Sequence, residues 1–143
     1  MITEQALRKA FLFRQPIVSR QQELAGYQLL LRRAEPDTHE RQQTLNTAAL
    51  CAAYLELGMQ SALGNTCAYL GITPDFLQQE ALELLPAAGV VLELLLDRPP
   101  DKAVQIRCRC LHERGYTLAL ADYRGIDDRS RPLLPMVDVI KID

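Results

Sequence analysis

The sequence lacks any apolar run long enough to cross a membrane. A spanning helix needs about 20 consecutive apolar residues, and charged or polar residues interrupt every apolar stretch of this 143-residue chain well before that length. The first five residues, MITEQ, include an acid and do not form the basic start of a secretory signal. We therefore expect a cytoplasmic protein without membrane contacts.

An excess of positive charge is missing as well. The 16 basic and 18 acidic residues give a net charge of −2. Proteins that bind nucleic acid polymers or anionic membranes typically present a basic face. The charge balance predicts neither kind of partner.

Several familiar catalytic and metal-binding motifs are absent. The four cysteines form no CxxC pair, and neither His39 nor His112 belongs to an HExxH motif. A phosphate-binding P-loop, a GxGxxG loop and a serine nucleophile elbow are also missing. These absences argue against a zinc protease, a dinucleotide enzyme and a serine hydrolase.

What the chain does contain is an alternation of short apolar stretches and helical patterns. Strands are predicted at residues 11–18, 24–33, 67–72, 89–95, 116–122 and 137–143. Helices are predicted from Asp37 to Gly58, from Thr73 to Leu85 and from Asp101 to Gly115. Asp37 and Glu40 resemble a capping box at the start of the first helix, and Leu84 is expected on the inner face of the second. The segment at 124–135 is expected to be irregular. The pattern predicts an α/β fold, in which a hairpin precedes parallel β/α units.

The late strands end on charged residues. Asp122 closes the strand at 116–122, and Lys141 lies near the end of the last strand. Charge at the carboxyl end of a buried strand is typical of a cleft. Ala121, directly before Asp122, carries no charge, so this strand end provides a single acid.

Six segments together resemble EAL domains, the family of cyclic di-GMP phosphodiesterases. They are RQPIV at 14–18, AGYQLLLR at 25–32, GITPDFL at 71–77, VLELL at 91–95, GYTLALADY at 115–123 and VIKID at 139–143. The segment at 71–77 is similar to the variant found in EAL–HDOD signalling proteins. The resemblance implies an incomplete TIM-like β/α barrel with an antiparallel hairpin at its start.

The family hydrolyses its substrate with two divalent metals, and the resemblance implies that this chain has lost their ligands. The signature glutamate falls at Gln28, an asparagine ligand at Gly71, and the first of two aspartates at Ala121. A neutral amide, a hydrogen and a methyl group replace oxygen ligands that hard cations need. We expect neither hydrolysis nor a cofactor; magnesium or manganese belongs only to the alternative of an active enzyme.

Three charged positions of the family site remain, at Glu93, Asp122 and Lys141, while a further glutamate falls at Leu96. Glu93 and Asp122 are weak candidates for metal ligands. We expect Glu93 and Lys141 to form a buried ion pair instead.

The resemblance also implies ligand-binding positions on the first two strands. Arg32 matches an arginine that contacts the ligand phosphate, and Gln15 and Gln28 match positions near the ligand. A barrel-end salt bridge is the competing interpretation of Arg32.

The 143 residues are expected to form a single EAL-like domain without the last part of the barrel, because a complete barrel usually needs ~200–250 residues. An incomplete barrel exposes edge strands, and the strand at 135–143 is the candidate edge. Since exposed edges pair with other chains, we expect a homo-oligomer or a protein partner. A following HDOD domain is implied only by the resemblance.

The main hypothesis is a degenerate EAL-like domain that serves as a regulatory or protein-interaction module in bacterial signal transduction. Two alternatives stay within the family: a receptor that binds cyclic di-GMP through Arg32, and an active phosphodiesterase with an unusual metal set. A third alternative is an unrelated doubly wound β/α domain.

Overall fold

The computed structural model describes residues 10–33, 39–56, 58, 63, 66–121, 125 and 127–142. The strands are β1 (Ala10–Val18), β2 (Leu24–Arg33), β3 (Cys67–Ile72), β4 (Val90–Leu94), β5 (Thr117–Leu120) and β6 (Val139–Ile140). The helices are α1 (His39–Glu56), α2 (Pro74–Leu77) and α3 (Lys102–Glu113), with 3₁₀ helices at Glu80–Leu84 and Arg131–Met136. The chain forms two compact units, Met1–Leu70 and Gly71–Asp143, and is described unit by unit.

The first unit is built on the predicted antiparallel hairpin. Phe13 of β1 lies opposite Leu30 of β2, and Gln15 lies opposite Gln28. In the turn, Gln22 adopts a positive φ of 63°, and the amide of Ser19 donates to the carbonyl of Glu23. The start of β3 then pairs in parallel with β2, so the change from hairpin to parallel strands occurs where the sequence predicts it.

Gly26 of β2 is needed for the close pairing of β2 with β3. A Cβ atom at this position would lie 2.5 Å from the carbonyl oxygen of Cys67 and 2.9 Å from the ring of Tyr69. The pairing register sets Gly26 opposite Cys67. The missing side chain therefore lets the Tyr69 ring pack against the backbone of β2.

The second unit contains the parallel strands β4, β5 and β6, with β5 between the other two. All five residues of β4 are buried. Asp101 caps α3 by accepting from the amide of Val104 at 2.9 Å, and Gly115 ends this segment with a φ of +93°. The predicted start and end of this helix are confirmed. The aspartate accepts a hydrogen bond from a backbone amide at the first turn, and the glycine adopts the positive φ that often follows a helix.

The helix predicted from Thr73 to Leu85 is only partly correct. Thr73 caps α2 as expected, but α2 ends at Leu77 and a 3₁₀ helix follows. The guanidinium of Arg107 takes the Leu77 carbonyl at 2.8 Å, an oxygen that a continuing α-helix would use itself. The prediction that Leu84 faces inward is wrong, since this side chain is 69% exposed.

Glu83 joins the 3₁₀ helix at Glu80–Leu84 to α3. Its carboxylate accepts from Arg107 at 3.0 Å and also pairs with Arg114. The hydrogen bond from Arg107, followed by that from Arg114, lowers the pKa of Glu83. The hydroxyl of Tyr116 donates to the Leu85 carbonyl at 2.7 Å, so side chains from α3 and the residue before β5 secure this irregular segment.

The last two strands are shorter than the predicted segments at 116–122 and 137–143. Backbone hydrogen bonds flank β6 on both sides. The amide of Asp138 donates to the Leu118 carbonyl and the amide of Lys141 donates to the Leu120 carbonyl, both at 2.9 Å. Part of the predicted irregular segment at 124–135 is ordered as a turn in which Asp127 accepts from the amide of Ser130. The capping box predicted at Asp37 and Glu40 falls outside the described residues and side chains.

Within the described ranges, none of the helices combines the length and hydropathy required of a membrane span. The thiols of Cys51 and Cys108 are buried, and burial raises the pKa of Cys51 to about 12 and that of Cys108 to about 11. Both thiols are therefore protonated at neutral pH and act as small apolar side chains.

We predict that Gly26→Ala destabilises the chain by about 1–3 kcal/mol, because the added methyl group collides with the backbone of β3. Urea unfolding measures the change. Ala25→Ser is the matched control, since it adds one heavy atom at the neighbouring, half-buried position of the same strand. An equal effect of the two substitutions would show that the close approach at Gly26 has no energetic consequence.

Candidate functional site

The candidate site of the second unit lies on one face of β4, β5 and β6. In the register of these strands, Glu93 of β4 lies beside Ala119 of β5, and Ala119 lies beside Val139 of β6. Side chains alternate between faces along a strand, so Ala121 and Lys141, each two residues further on, point to the same side. The residues on this face thus include one acid, two alanines, one valine and one lysine.

Glu93 and Lys141 form the ion pair that the sequence predicts. The Lys141 Nζ lies 3.5 Å from the Glu93 Oε1, and the two side chains are 21% and 5% exposed. Their strands are not neighbours, since β5 separates them by two strand spacings, roughly 10 Å. The small side chain of Ala119 allows two long side chains to meet over β5.

Gly71, where the resemblance implies an asparagine ligand in the family, lies against an apolar side chain. Gly71 is the fifth residue of β3, and a Cβ atom there would lie 3.1 Å from the Cδ1 atom of Leu95. Leu95 is held beside the end of β3, because its amide donates to the Ile72 carbonyl at 3.0 Å. The space that a side chain at position 71 would enter is therefore bounded by a leucine.

In the first unit, the predicted ligand positions share one face of the hairpin. Gln15 lies directly opposite Gln28, and Arg32 lies opposite Phe11 four residues along β2. Gln15 is exposed, whereas Gln28 is buried. The register thus places these three positions on the same face of the hairpin.

Gln28 is bound through its amide nitrogen. The Nε2 atom donates to the Tyr69 carbonyl at 3.4 Å. A carbonyl oxygen can only accept, so the nitrogen of the amide must face it. The family's glutamate would present an acceptor to this acceptor, and the glutamine is therefore the residue that suits this environment.

Two of the predicted site positions are not fully described. Asp122 lies outside the described residues, and of Arg32 only the place in β2 is described. Their predicted roles stay predictions. Ala121, the last described residue before Asp122, is half-buried.

Comparison with curated proteins finds similarity at low sequence identity. The chain is 26% identical over 141 residues to the uncharacterized protein YuxH of Bacillus subtilis, covering 94% of the chain and 34% of YuxH. It is 26% identical over 143 residues to the cyclic di-GMP phosphodiesterase CdgJ of Vibrio cholerae, covering 98% of the chain and 33% of CdgJ. The chain thus spans about a third of each relative. A scan against models of protein families gives no match.

Comparison with solved structures settles the fold. An EAL domain protein from Listeria monocytogenes matches with a TM-score of 0.63 and 14% identity, over 96% of the chain and 66% of that protein. A manganese and cyclic di-GMP complex of BlrP1 from Klebsiella pneumoniae matches with a TM-score of 0.68 and 16% identity, over 94% and 40%. The chain has the EAL-domain fold. The expected incomplete β/α barrel with its antiparallel start is confirmed.

EAL domains imply a pair of divalent metals, and the described positions of this chain do not fit such a pair. Gly71 and Ala121 offer no oxygen ligand, the Gln28 amide binds a backbone carbonyl, and the Glu93 carboxylate holds the Lys141 ammonium. Among the residues that the structure describes, no three His, Cys, Asp or Glu side chains cluster in a way that could hold a metal ion. Chemistry through bound metals is not supported at these positions.

Three contributors to the site were missed by sequence reasoning. The Tyr69 carbonyl explains the glutamine at position 28, Leu95 bounds position 71, and Ala119 makes room for the ion pair. A backbone carbonyl gives no sequence signal. Glu93 and Leu95, however, are two residues apart along one strand, which indicates that both side chains lie on the same face.

We predict that Gln28→Glu lowers the free energy of unfolding by about 1–3 kcal/mol at pH 7, because it buries a carboxylate against a carbonyl oxygen. A protonated carboxyl can donate to that oxygen, so the loss should be smaller at pH 4. Denaturant unfolding at both pH values measures it. Gln15→Glu, at the exposed position opposite, is the matched control; a stabilising Gln28→Glu would contradict this account.

We predict that Lys141→Met destabilises the chain by about 3–5 kcal/mol, since it leaves the buried Glu93 carboxylate without its ammonium partner. Lys141→Met combined with Glu93→Gln should recover most of the loss, because the uncompensated charge is then gone. Thermal unfolding of both variants measures the effect. A double variant as unstable as Lys141→Met alone would show that packing of the lysine stem, rather than charge, is what matters.

Proposed function

We propose that this chain is an EAL-like signalling domain that has lost metal-dependent hydrolysis and acts as a regulatory or protein-interaction module in bacterial signal transduction. The observation that carries the proposal is the hydrogen bond of Gln28, whose amide donates to the Tyr69 carbonyl at the position where the resemblance implies a metal-binding glutamate. The Glu93 carboxylate, which the resemblance also assigns to a metal, pairs with the Lys141 ammonium.

Two other positions support the same conclusion. Gly71 and Ala121, both in the second unit, have no side-chain oxygen that could bind a metal. Hydrolysis assisted by two metals needs both ions fixed by several anionic ligands. Restoring one ligand therefore does not restore the reaction, and Gln28→Glu alone should leave the chain inactive.

A second candidate function is a receptor for cyclic di-GMP that binds without cleavage. The solved BlrP1 structure holds this nucleotide together with manganese, and the hairpin register places Gln15, Gln28 and Arg32 on one face. The receptor would use Arg32 for the ligand phosphate, because a guanidinium pairs well with phosphate and needs no metal.

Self-association or a protein partner is part of the proposal. The hairpin exposes apolar side chains, with Phe13 and Val18 on β1 and Leu24 and Leu30 on β2 at least one-third exposed. Exposed apolar residues along a strand at the edge of a sheet favour pairing with another chain. Light scattering over a concentration series tests for a second copy, and a strict monomer would leave a different protein as partner.

We predict that the 143-residue chain neither binds Mn²⁺ or Mg²⁺ tightly nor hydrolyses cyclic di-GMP. Isothermal calorimetry with each ion, and product analysis after incubation with nucleotide and metal, provide the test, and BlrP1 serves as the binding control. Metal-independent nucleotide binding that Arg32→Ala abolishes would favour the receptor. Release of a linear dinucleotide would refute the proposal of lost hydrolysis.

A further inference from the structure

We propose that Leu95 closes position 71 to any side chain with a polar end, so that Gly71 and Leu95 form a coupled pair that keeps this part of the site apolar. The inference rests on the proposed loss of metal-dependent hydrolysis and deepens it. Leu95 itself is not one of the positions to which the resemblance assigns a ligand.

The first step is the distance between the two residues. A Cβ atom on Gly71 would lie 3.1 Å from the Leu95 Cδ1 atom and 3.6 Å from both its Cδ2 and Cγ atoms. A side chain at position 71 would therefore contact the Cγ atom and both methyl groups of Leu95. A methyl group at position 71 fits after a small shift of the Leu95 side chain. The longer side chain of asparagine fits only if the Leu95 side chain moves away.

The second step is that the Leu95 backbone is fixed. Its amide donates to the Ile72 carbonyl at 3.0 Å, which extends the contact between the ends of β3 and β4. The leucine can respond to a larger neighbour only by changing rotamer. Leu95 itself is half-buried, and Ile72 and Leu94 beside this hydrogen bond are buried, so such a change moves the leucine within a packed region or into water.

The surroundings of position 71 also disfavour a polar side chain. Leu95 follows Glu93 by two residues, and the hydrogen bond from its amide continues the ladder, so both side chains lie on one side of β4. An amide beside the leucine end would lose hydration without gaining a partner from it, which is unfavourable. Collision and desolvation thus act in the same direction at position 71.

A double-mutant cycle tests the coupling. Gly71→Asn and Leu95→Ala should each lower the melting temperature, by about 4 °C or more. The double variant should lose clearly less than the sum, because removal of the leucine end makes room for the amide. Additive losses would overturn the proposal.

Leu96→Ala provides the matched control, because Leu96 is the adjacent half-buried leucine. The three atoms nearest a Cβ at position 71 all belong to Leu95 and none to Leu96. Its combination with Gly71→Asn should be additive. If Gly71→Asn does not fold, Gly71→Ala replaces it in the same cycle, with smaller losses but coupling of the same sign.

The two proposals fail in different measurements. Additivity between Gly71→Asn and Leu95→Ala overturns the role of Leu95 even if the chain binds no metal. Tight Mn²⁺ binding by the unaltered chain overturns the proposed function even if the two residues prove to be coupled.

Discussion

The second unit depends on a single electrostatic constraint: a buried carboxylate must have a cation. Glu93 is the fourth of the five buried residues of β4, and the Lys141 ammonium lies 3.5 Å from its carboxylate. Ala119 lies beside Glu93 in the strand register, and its small side chain leaves room for the lysine to reach across β5. In the described structure this cation is the ammonium of a lysine of the same unit.

In the first unit, Gln28 also has a partner within the chain. The resemblance implies an acid at this position, and here the amide nitrogen of Gln28 donates to the Tyr69 carbonyl. Gly26 permits the Tyr69 ring to lie close to β2. Neither residue needs a ligand from outside the protein. In both units, therefore, the residues that differ from the EAL pattern suit the surroundings that the structure shows.

Much of the fold could be predicted from residue patterns, because its elements carry local signals. The bounds of β2 and β3 agree with the prediction, as do the caps at Thr73 and Asp101. The short α2 could not be predicted, since Arg107, thirty residues away, removes the Leu77 carbonyl from its helix. For the site, the Glu93–Lys141 pair was predicted from the charged positions that the resemblance implies, but the proposed effect of Leu95 on position 71 depends on pairing between strand ends.

The account is tested most directly by diffraction from crystals soaked in MnCl₂, with anomalous scattering recorded for manganese. We expect no ordered ion at Glu93 and a Lys141 ammonium still in hydrogen-bond range of its carboxylate. Two ordered manganese ions bound to Glu93, with Lys141 displaced, would contradict the claim that the chain supplies its own cation.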